Sequence, residues 1–290
     1  MVEWPNELVT DLARRKAAIV IGSGLSRQSL GRDGTTRPPT WKELIRNGIG
    51  ELSPSHGLID DIEGALNRGD LLHACEWLQS ALDESWPTFL RTQLADPEFA
   101  PVGAHNEVLR LDARVVVSLN FDDIYERASA TLGGRYITKN YYDTDAVDFL
   151  RGSGRYIVKA HGGLHSISKL IFTQEQYARA RALHHLFYKA LDALMMTHSI
   201  LFVGCGYNDP DLSLILEGNN FSFPDAPPHY MLTTLEAESS LGRSLRKNRS
   251  LKCIRYEPTD DEHSNLCELL ADLADQVEIA RRDLTATLNW

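Results

Sequence analysis

Arg114-Val115-Val116-Val117-Ser118-Leu119-Asn120-Phe121-Asp122-Asp123 is the stretch whose reading decides the fold. Its β-branched run has no polar interruption and predicts a strand buried on both faces, as in a parallel sheet covered by helices. The run breaks abruptly into Asn120, Asp122 and Asp123, and Ile124-Tyr125-Glu126-Arg127-Ala128 then reads as a helix. Polar side chains at the carboxyl end of a parallel strand face the crevice where open α/β sheets bind ligands. The same residues also suit an ordinary helix N-cap, with Asp122 or Asp123 accepting backbone N–H groups. Other stretches must decide between the two.

Working outward, 290 residues suffice for one large α/β domain or two smaller ones. A hydrophobic fraction of 43% can supply a real core. The net charge of −10 argues against a sequence-independent phosphate-binding surface, so no direct nucleic-acid binding is expected. The basic cluster Arg243, Arg246, Lys247 and Arg249 reads as a solvated helix face. Cys75, Cys205, Cys253 and Cys267 lie far apart, without C-x-x-C spacing. That pattern predicts no zinc ribbon, no metal site and no disulfide framework, and fits a reducing cytoplasm. Met1 to Lys16 is polar, and the apolar run after it is too short for a signal peptide. The most apolar window, Ala190 to Tyr207, is interrupted by Asp192, Thr197, His198 and Ser199, so no membrane span is expected.

Leu8 to Lys16 predicts a helix and Ala17-Ala18-Ile19-Val20-Ile21 the first core strand, followed at once by Gly22-Ser23-Gly24-Leu25-Ser26. Glycines at a strand-to-helix turn allow close backbone approach to a ligand and leave N–H groups for its oxygens. Arg27 stands where a dehydrogenase fingerprint needs its third glycine, and no Gly-Lys-Ser/Thr follows as in a Walker loop. Gln28 to Pro39 predicts a long, mobile loop of the kind that covers ligands. Thr40 and Glu43 have the spacing of a capping box. From about 45 to 111 the pattern is helical, with breaks near Ser53-Pro54, Gly69 and Pro97, which predicts a helical insertion between the first and second core strands. Further strands are expected at Arg135–Thr138, Tyr156–Ala160, Leu170–Thr173, Ser199–Val203, His229–Thr233 and Leu251–Tyr256. One long amphipathic helix is expected over Gln174–His198, and a terminal helix over about 262 to 287. Strands alternating with helices predict an α/β fold, a Rossmann-like parallel sheet in one domain spanning 1–290. Right-handed crossovers then bring the strand ends to one edge.

Four of those ends carry unusual chemistry: Gly22-Ser23-Gly24-Leu25-Ser26, Asn120-Phe121-Asp122, His161-Gly162 and Gly204-Cys205-Gly206. In this order they resemble the NAD-binding core of sirtuins, in which a glycine–serine turn precedes Gln-Asn-Ile-Asp, then His-Gly, then a Gly-Thr-Ser turn. Leu119-Asn120-Phe121-Asp122 keeps the Asn and Asp of the second element but not the Gln. The paired C-x-x-C zinc ribbon of typical deacylases is missing, and Arg37-Pro38-Pro39-Thr40-Trp41 stands where sirtuins carry Asp-Phe-Arg. With Lys159-Ala160-His161-Gly162, Thr173-Gln174-Glu175-Gln176-Tyr177 and Gly206-Tyr207-Asn208-Asp209-Pro210-Asp211, the chain is similar to the divergent bacterial branch of the sirtuin-like family.

That resemblance implies an NAD+ hydrolase, releasing nicotinamide and ADP-ribose, as an effector of antiphage defence that depletes NAD+ when activated. It also implies a homo-oligomer, and a partner such as a HerA-type translocase ATPase or a short Argonaute. Asn120 would position a ribose hydroxyl or the attacking water. His161 would take the proton, unless it only braces the Gly162-Gly163 turn. Asp122 would orient Asn120 or the ribose, or bind the nicotinamide carboxamide. Gly22, Ser23, Gly24 and Ser26, with Gly204, Cys205 and Gly206, would seat the diphosphate and adenosine. Asp209 suits a helix cap as well as a ligand contact, and Cys205 reads as a small buried residue rather than a nucleophile. The same core would also serve an NAD-dependent protein deacylase or ADP-ribosyltransferase, or a non-catalytic NAD or ADP-ribose sensor or scaffold subunit. Added helix beyond a bare Rossmann core predicts an oligomer interface on the insertion or on Gln174–His198.

Overall fold

Ala17–Ile21 (β1) is buried along its whole length, because helices cover both faces of the sheet it centres. The computed structural model describes residues 2–131, 133, 136–206, 216 and 226–287. Beside β1 run Val115–Ser118 (β2) and Ser199–Val203 (β5), with Ile19 in register with Val116 on one side and Leu201 on the other. Tyr136–Asn140 (β3), Arg155–Lys159 (β4), His229–Thr233 (β6) and Leu251–Arg255 (β7) complete a seven-stranded sheet of order β3-β4-β2-β1-β5-β6-β7. Every pairing among the described strands is parallel. The chain reverses its direction of travel across the sheet at β1, which is where such sheets open a ligand crevice.

Asn6–Ala13 (α1) precedes β1, and the turn after β1 closes into the single helical turn Ser23–Ser26 (α2). Between β1 and β2 the chain forms Trp41–Gly50 (α3), Ile59–Arg68 (α4), Leu71–Leu82 (α5), Trp86–Leu94 (α6) and Gly103–Arg110 (α7), in the region expected to be a helical insertion. The Thr40–Glu43 capping box forms at the start of α3. Ile124–Thr131 (α8) follows β2, and Asp148–Arg151 (α9) precedes β4. The second half carries Gln174–Leu183 (α10), His185–Thr197 (α11), Ser240–Arg249 (α12) and Leu266–Thr287 (α13).

One face of the sheet packs on Ala180, Phe187, Leu191 and Leu194 of α10 and α11. The other packs on Leu8 and Leu12 of α1, Val108 of α7, and Leu270 and Leu273 of α13. The insertion has its own core of Ile45, Ile62, Leu78 and Leu90. That core reaches the sheet through Phe121 and Phe172, stacked at 3.9 Å between centroids, with Trp41 5.9 Å from Phe121.

Two expectations need correction. The helix expected over Gln174–His198 is two helices, broken at His184 (φ −113°, ψ 35°) where Tyr141 meets the imidazole edge-on. Tyr177, Ala180, His184, Phe187, Leu191 and Leu194 keep one helical phase across the break, so periodicity could not reveal it. Leu170–Thr173 is not a strand. Leu170 and Phe172 face the insertion core while Ile171 faces the sheet's core, so the alternation records burial between two cores rather than strand pairing.

The turns after β1 and β5 interlock. Gly22 N–H donates to the Val203 carbonyl at 3.0 Å and Gly24 N–H to the Gly204 carbonyl at 2.9 Å. Gly204 is left-handed (φ +67°), and a Cβ there would lie 2.3 Å from the Leu25 nitrogen. Gly204→Ala is therefore expected to cost about 2–4 kcal/mol through backbone strain and overpacking. Urea unfolding of the variant measures it, and a loss below half a kilocalorie would show that the turns can part freely.

His105, on α7, is 1% exposed and accepts a 3.3 Å hydrogen bond from Val102 N–H at Nδ1, while its Nε2 has no partner. Burial pushes it down from 6.5 to about 4, against the pull of the Asp122 carboxylate. A folded-state value below the unfolded one means that the unfolded chain binds the proton first. The contribution is thus intact above about pH 6.5 and is lost as pH falls towards 4. Between pH 7.5 and 4.5 wild type is expected to lose about 2–3 kcal/mol more stability than His105→Gln. Parallel stability curves for the two proteins would contradict this.

Candidate active site at the ends of four central strands

The carboxyl ends of β4, β2, β1 and β5 lie side by side, because those strands are consecutive neighbours in the sheet. This brings His161, Asn120, the Gly22–Ser26 turn and the Gly204–Gly206 turn to one edge. A pocket opens there, lined by Ser23, Ser26, Trp41, Asn120, Phe121 and Asp122 among others, with Pro38 and Pro39 of the preceding loop at its wall. Arg37 holds that loop by donating to the Arg27 carbonyl at 2.9 Å and by pairing with Glu262, which also pairs with Arg27.

Asn120 is 7% exposed, and its side-chain amide donates to the Gly22 carbonyl at 3.0 Å and to Ser26 Oγ at 2.9 Å. The residue thus ties the end of β2 to the turn after β1. Its own N–H donates to Ser118 Oγ at 3.3 Å, so the last hydroxyl of the strand braces the turn from below. Asp122 is both cap and wall: Oδ1 accepts the Ile124 N–H at 3.1 Å, and the residue lines the pocket.

The glycine turn works differently from the expectation that its N–H groups face a ligand. Those of Gly22 and Gly24 are spent on the end of β5. The polar side chains that this turn turns towards the pocket are Ser23 and Ser26. The glycines matter through close approach, since a Cβ on Gly22 would lie 2.6 Å from the Gly204 carbonyl oxygen. Cys205 is 8% exposed with its Sγ turned towards the Val20 and Val203 carbonyls, and Gly206 is exposed. Asp209 lies outside the described residues.

His161 is 3% exposed and is not among the residues lining this pocket; Phe121, which is, has its ring centroid 6.1 Å from the imidazole. Its Nδ1 lies 3.1 Å from the Leu119 carbonyl and its Nε2 3.2 Å from the Tyr177 hydroxyl. A carbonyl can only accept, so Nδ1 carries the hydrogen and Nε2 of the neutral ring is the lone-pair acceptor for Tyr177.

Three contributors had no role assigned from the sequence. Tyr177 appears there only as the last residue of the Thr173–Tyr177 motif, on a helix and with no role assigned. Lys159 ends the apolar run Tyr156-Ile157-Val158, and a charge closing a core strand is the signal that marks it. Its ammonium is 2.8 Å from Glu126 Oε1 and also donates to the Asp122 carbonyl. His105 has no sequence signal beyond its place on a helix. Among the described residues, no group of three or more His, Cys, Asp or Glu side chains is placed to hold a metal ion. Among them, too, no helix is long and apolar enough to cross a membrane.

Comparison with known proteins agrees with this architecture. The chain is 28% identical over 218 residues to the NAD(+) hydrolase ThsA of Acinetobacter baumannii (strain 532279), covering 73% of this chain and 40% of that protein. It is 23% identical over 115 residues to Defense-associated sirtuin 2 of Bacillus subtilis, covering 39% of this chain and 11% of that protein. The chain therefore spans well under half the length of either relative. The family model for the SIR2-like domain matches residues 114–254, from the start of β2 to β7, while β1 and its glycine turn complete the site from outside the match. What the chain is similar to is thus a SIR2-like domain, matched over residues 114–254, just under half of its length.

Proposed function

We propose that this chain hydrolyses NAD+ to nicotinamide and ADP-ribose and serves as an effector of antiphage defence. The observation that carries the reading is Asn120, locked by its amide against the first glycine turn in a pocket it shares with Ser23, Ser26 and Asp122. The names of the two relatives, one a NAD(+) hydrolase and one a defence-associated sirtuin, support the substrate and the setting.

In this reaction the C1′–N bond of the nicotinamide ribose breaks and nicotinamide leaves with the bonding pair, which neutralises its ring. Positive charge builds on C1′ as the bond lengthens, and a water oxygen then bonds to that carbon and gives up a proton. Asn120 holds the water or a ribose hydroxyl in line with C1′, a positioning role. The Asp122 carboxylate lies in the same wall, where it favours the developing positive charge. His161, whose Nε2 is now met by the Tyr177 hydroxyl, is the group assigned to take the proton. Ser23 and Ser26 offer hydroxyls to the ribose and diphosphate oxygens.

The working form in this reading is a homo-oligomer, with a further protein as its regulator. Leu183 and Leu186, 70% and 64% exposed, flank the break between α10 and α11 and supply an apolar contact there. A concentration-independent monomer by sedimentation, with and without NAD+, would remove this part.

Asn120→Ala is expected to abolish nicotinamide release in a protein that still folds, with a melting temperature lowered by the loss of its bonds to Gly22 and Ser26. His161→Ala should lower turnover by about two to four orders of magnitude, with NAD+ affinity changing far less. Chromatographic assay of nicotinamide and ADP-ribose, beside calorimetric binding on the same preparations, checks both variants. A folded Asn120→Ala protein that still releases nicotinamide at the wild-type rate would end the hydrolase reading. Full turnover by His161→Ala with a lowered melting temperature would make His161 a structural brace.

A further inference from the structure

Lys159 is 2% exposed, an ammonium at the end of a strand whose preceding three residues are apolar and buried. It reaches three elements at once. Its backbone is in register with Ser118 at the end of β2, its ammonium lies 2.8 Å from Glu126 Oε1 in the first turn of α8, and it donates to the backbone carbonyl of Asp122. Its Cε also passes under the His161-Gly162-Gly163 turn, 3.6 Å from where a Cβ on Gly163 would sit. Among the described residues the second oxygen of Glu126 has no hydrogen-bond partner. Stability alone gives little reason for this arrangement, since a buried ion pair is commonly matched or bettered by apolar side chains of the same volume. An apolar pair would, however, leave the Asp122 carbonyl without its donor.

We propose that Lys159 is a positioning residue: its ammonium, seated by Glu126, fixes the Asp122 carbonyl and thereby the aim of the Asn120-Phe121-Asp122 turn into the pocket. Asn120 is two residues from the pinned carbonyl, and its amide must meet both Gly22 and Ser26. A rotation of the peptide after Asp122 would turn the carboxylate out of the wall and loosen that pair of bonds. Lys159 itself touches no substrate and acts through the backbone. This inference rests on the hydrolase reading of the same site.

The test uses Lys159→Met alone and together with Glu126→Leu. The single variant strands the Glu126 carboxylate in the interior and is expected to melt well below wild type. The double variant removes both charges and should regain most of the melting temperature. Its nicotinamide release should nevertheless stay down about ten- to a hundredfold, the cost of misplacing a reacting group by a fraction of an ångström or more. Its KM for NAD+ should change far less than its kcat. Amide hydrogen exchange over residues 119–124, which needs no turnover, should be faster than in wild type while β1 and β5 are unchanged. A double variant that turns over at the wild-type rate, that exchanges like wild type over 119–124, or that stays as unstable as the single variant would overturn the proposal. If wild type itself releases no nicotinamide, the hydrolase reading fails, and the exchange comparison alone decides whether Lys159 holds the turn.

Discussion

The structure depends on two glycine turns passing within contact distance of each other. The turn after β1 donates backbone hydrogen bonds to Val203 and Gly204 at the end of β5, and a Cβ on Gly22 or Gly204 would meet backbone atoms at 2.6 or 2.3 Å. This approach draws the first turn across the sheet edge until Asn120, on the other neighbour of β1, can reach both Gly22 and Ser26. Three adjacent strands thus end in one interlocked unit. The pocket is the space that unit leaves beneath the loop carrying Pro38 and Pro39.

The helical insertion is a second core that bears on the site through aromatic rings. Phe121 belongs to the turn after β2 yet packs with Phe172 and Trp41 in the insertion's cluster. Phe121 also lines the pocket, with its ring centroid 6.1 Å from the His161 imidazole. Repacking within the insertion would therefore be felt at the wall of the pocket, since close-packed interiors transmit displacement rather than absorb it. The chain links its largest added element to a pocket residue beside the candidate base.

Polar groups beneath the site are unusually buried for their type, and each has a defined task. Ser118 braces the Asn120 backbone, and Lys159 and Glu126 meet under Asp122. His105 stays neutral because burial outweighs the nearby Asp122 charge. Such groups are costly to bury, and in this chain they lie under the turn that lines the pocket. The charges elsewhere, such as the Arg32–Glu98 pair, are mostly exposed and carry little of the fold.

Much of this was legible in the sequence. The strands Ala17–Ile21, Ser199–Val203 and His229–Thr233 lie where apolar runs bounded by glycine or polar residues put them. The Thr40–Glu43 cap was legible too, because caps and buried parallel strands are local signals. The juxtaposition of Asn120 with the glycine turn followed from the order of the motifs along a parallel sheet. Other features were decided only in three dimensions. The break at His184 preserves helical phase and so leaves periodicity unchanged, and Leu170–Phe172 alternates because it lies between two cores. The glycine N–H groups proved to be spent on β5, His161 to lie beside Phe121 and meet the Tyr177 hydroxyl, and Lys159 to reach the Asp122 carbonyl. Each of these joins residues distant in the chain, and a contact of that kind leaves no periodic trace in sequence. Local patterning therefore determined which elements form and which strand ends carry polar residues and glycine turns. Packing between elements decided which polar atoms remain available to a ligand.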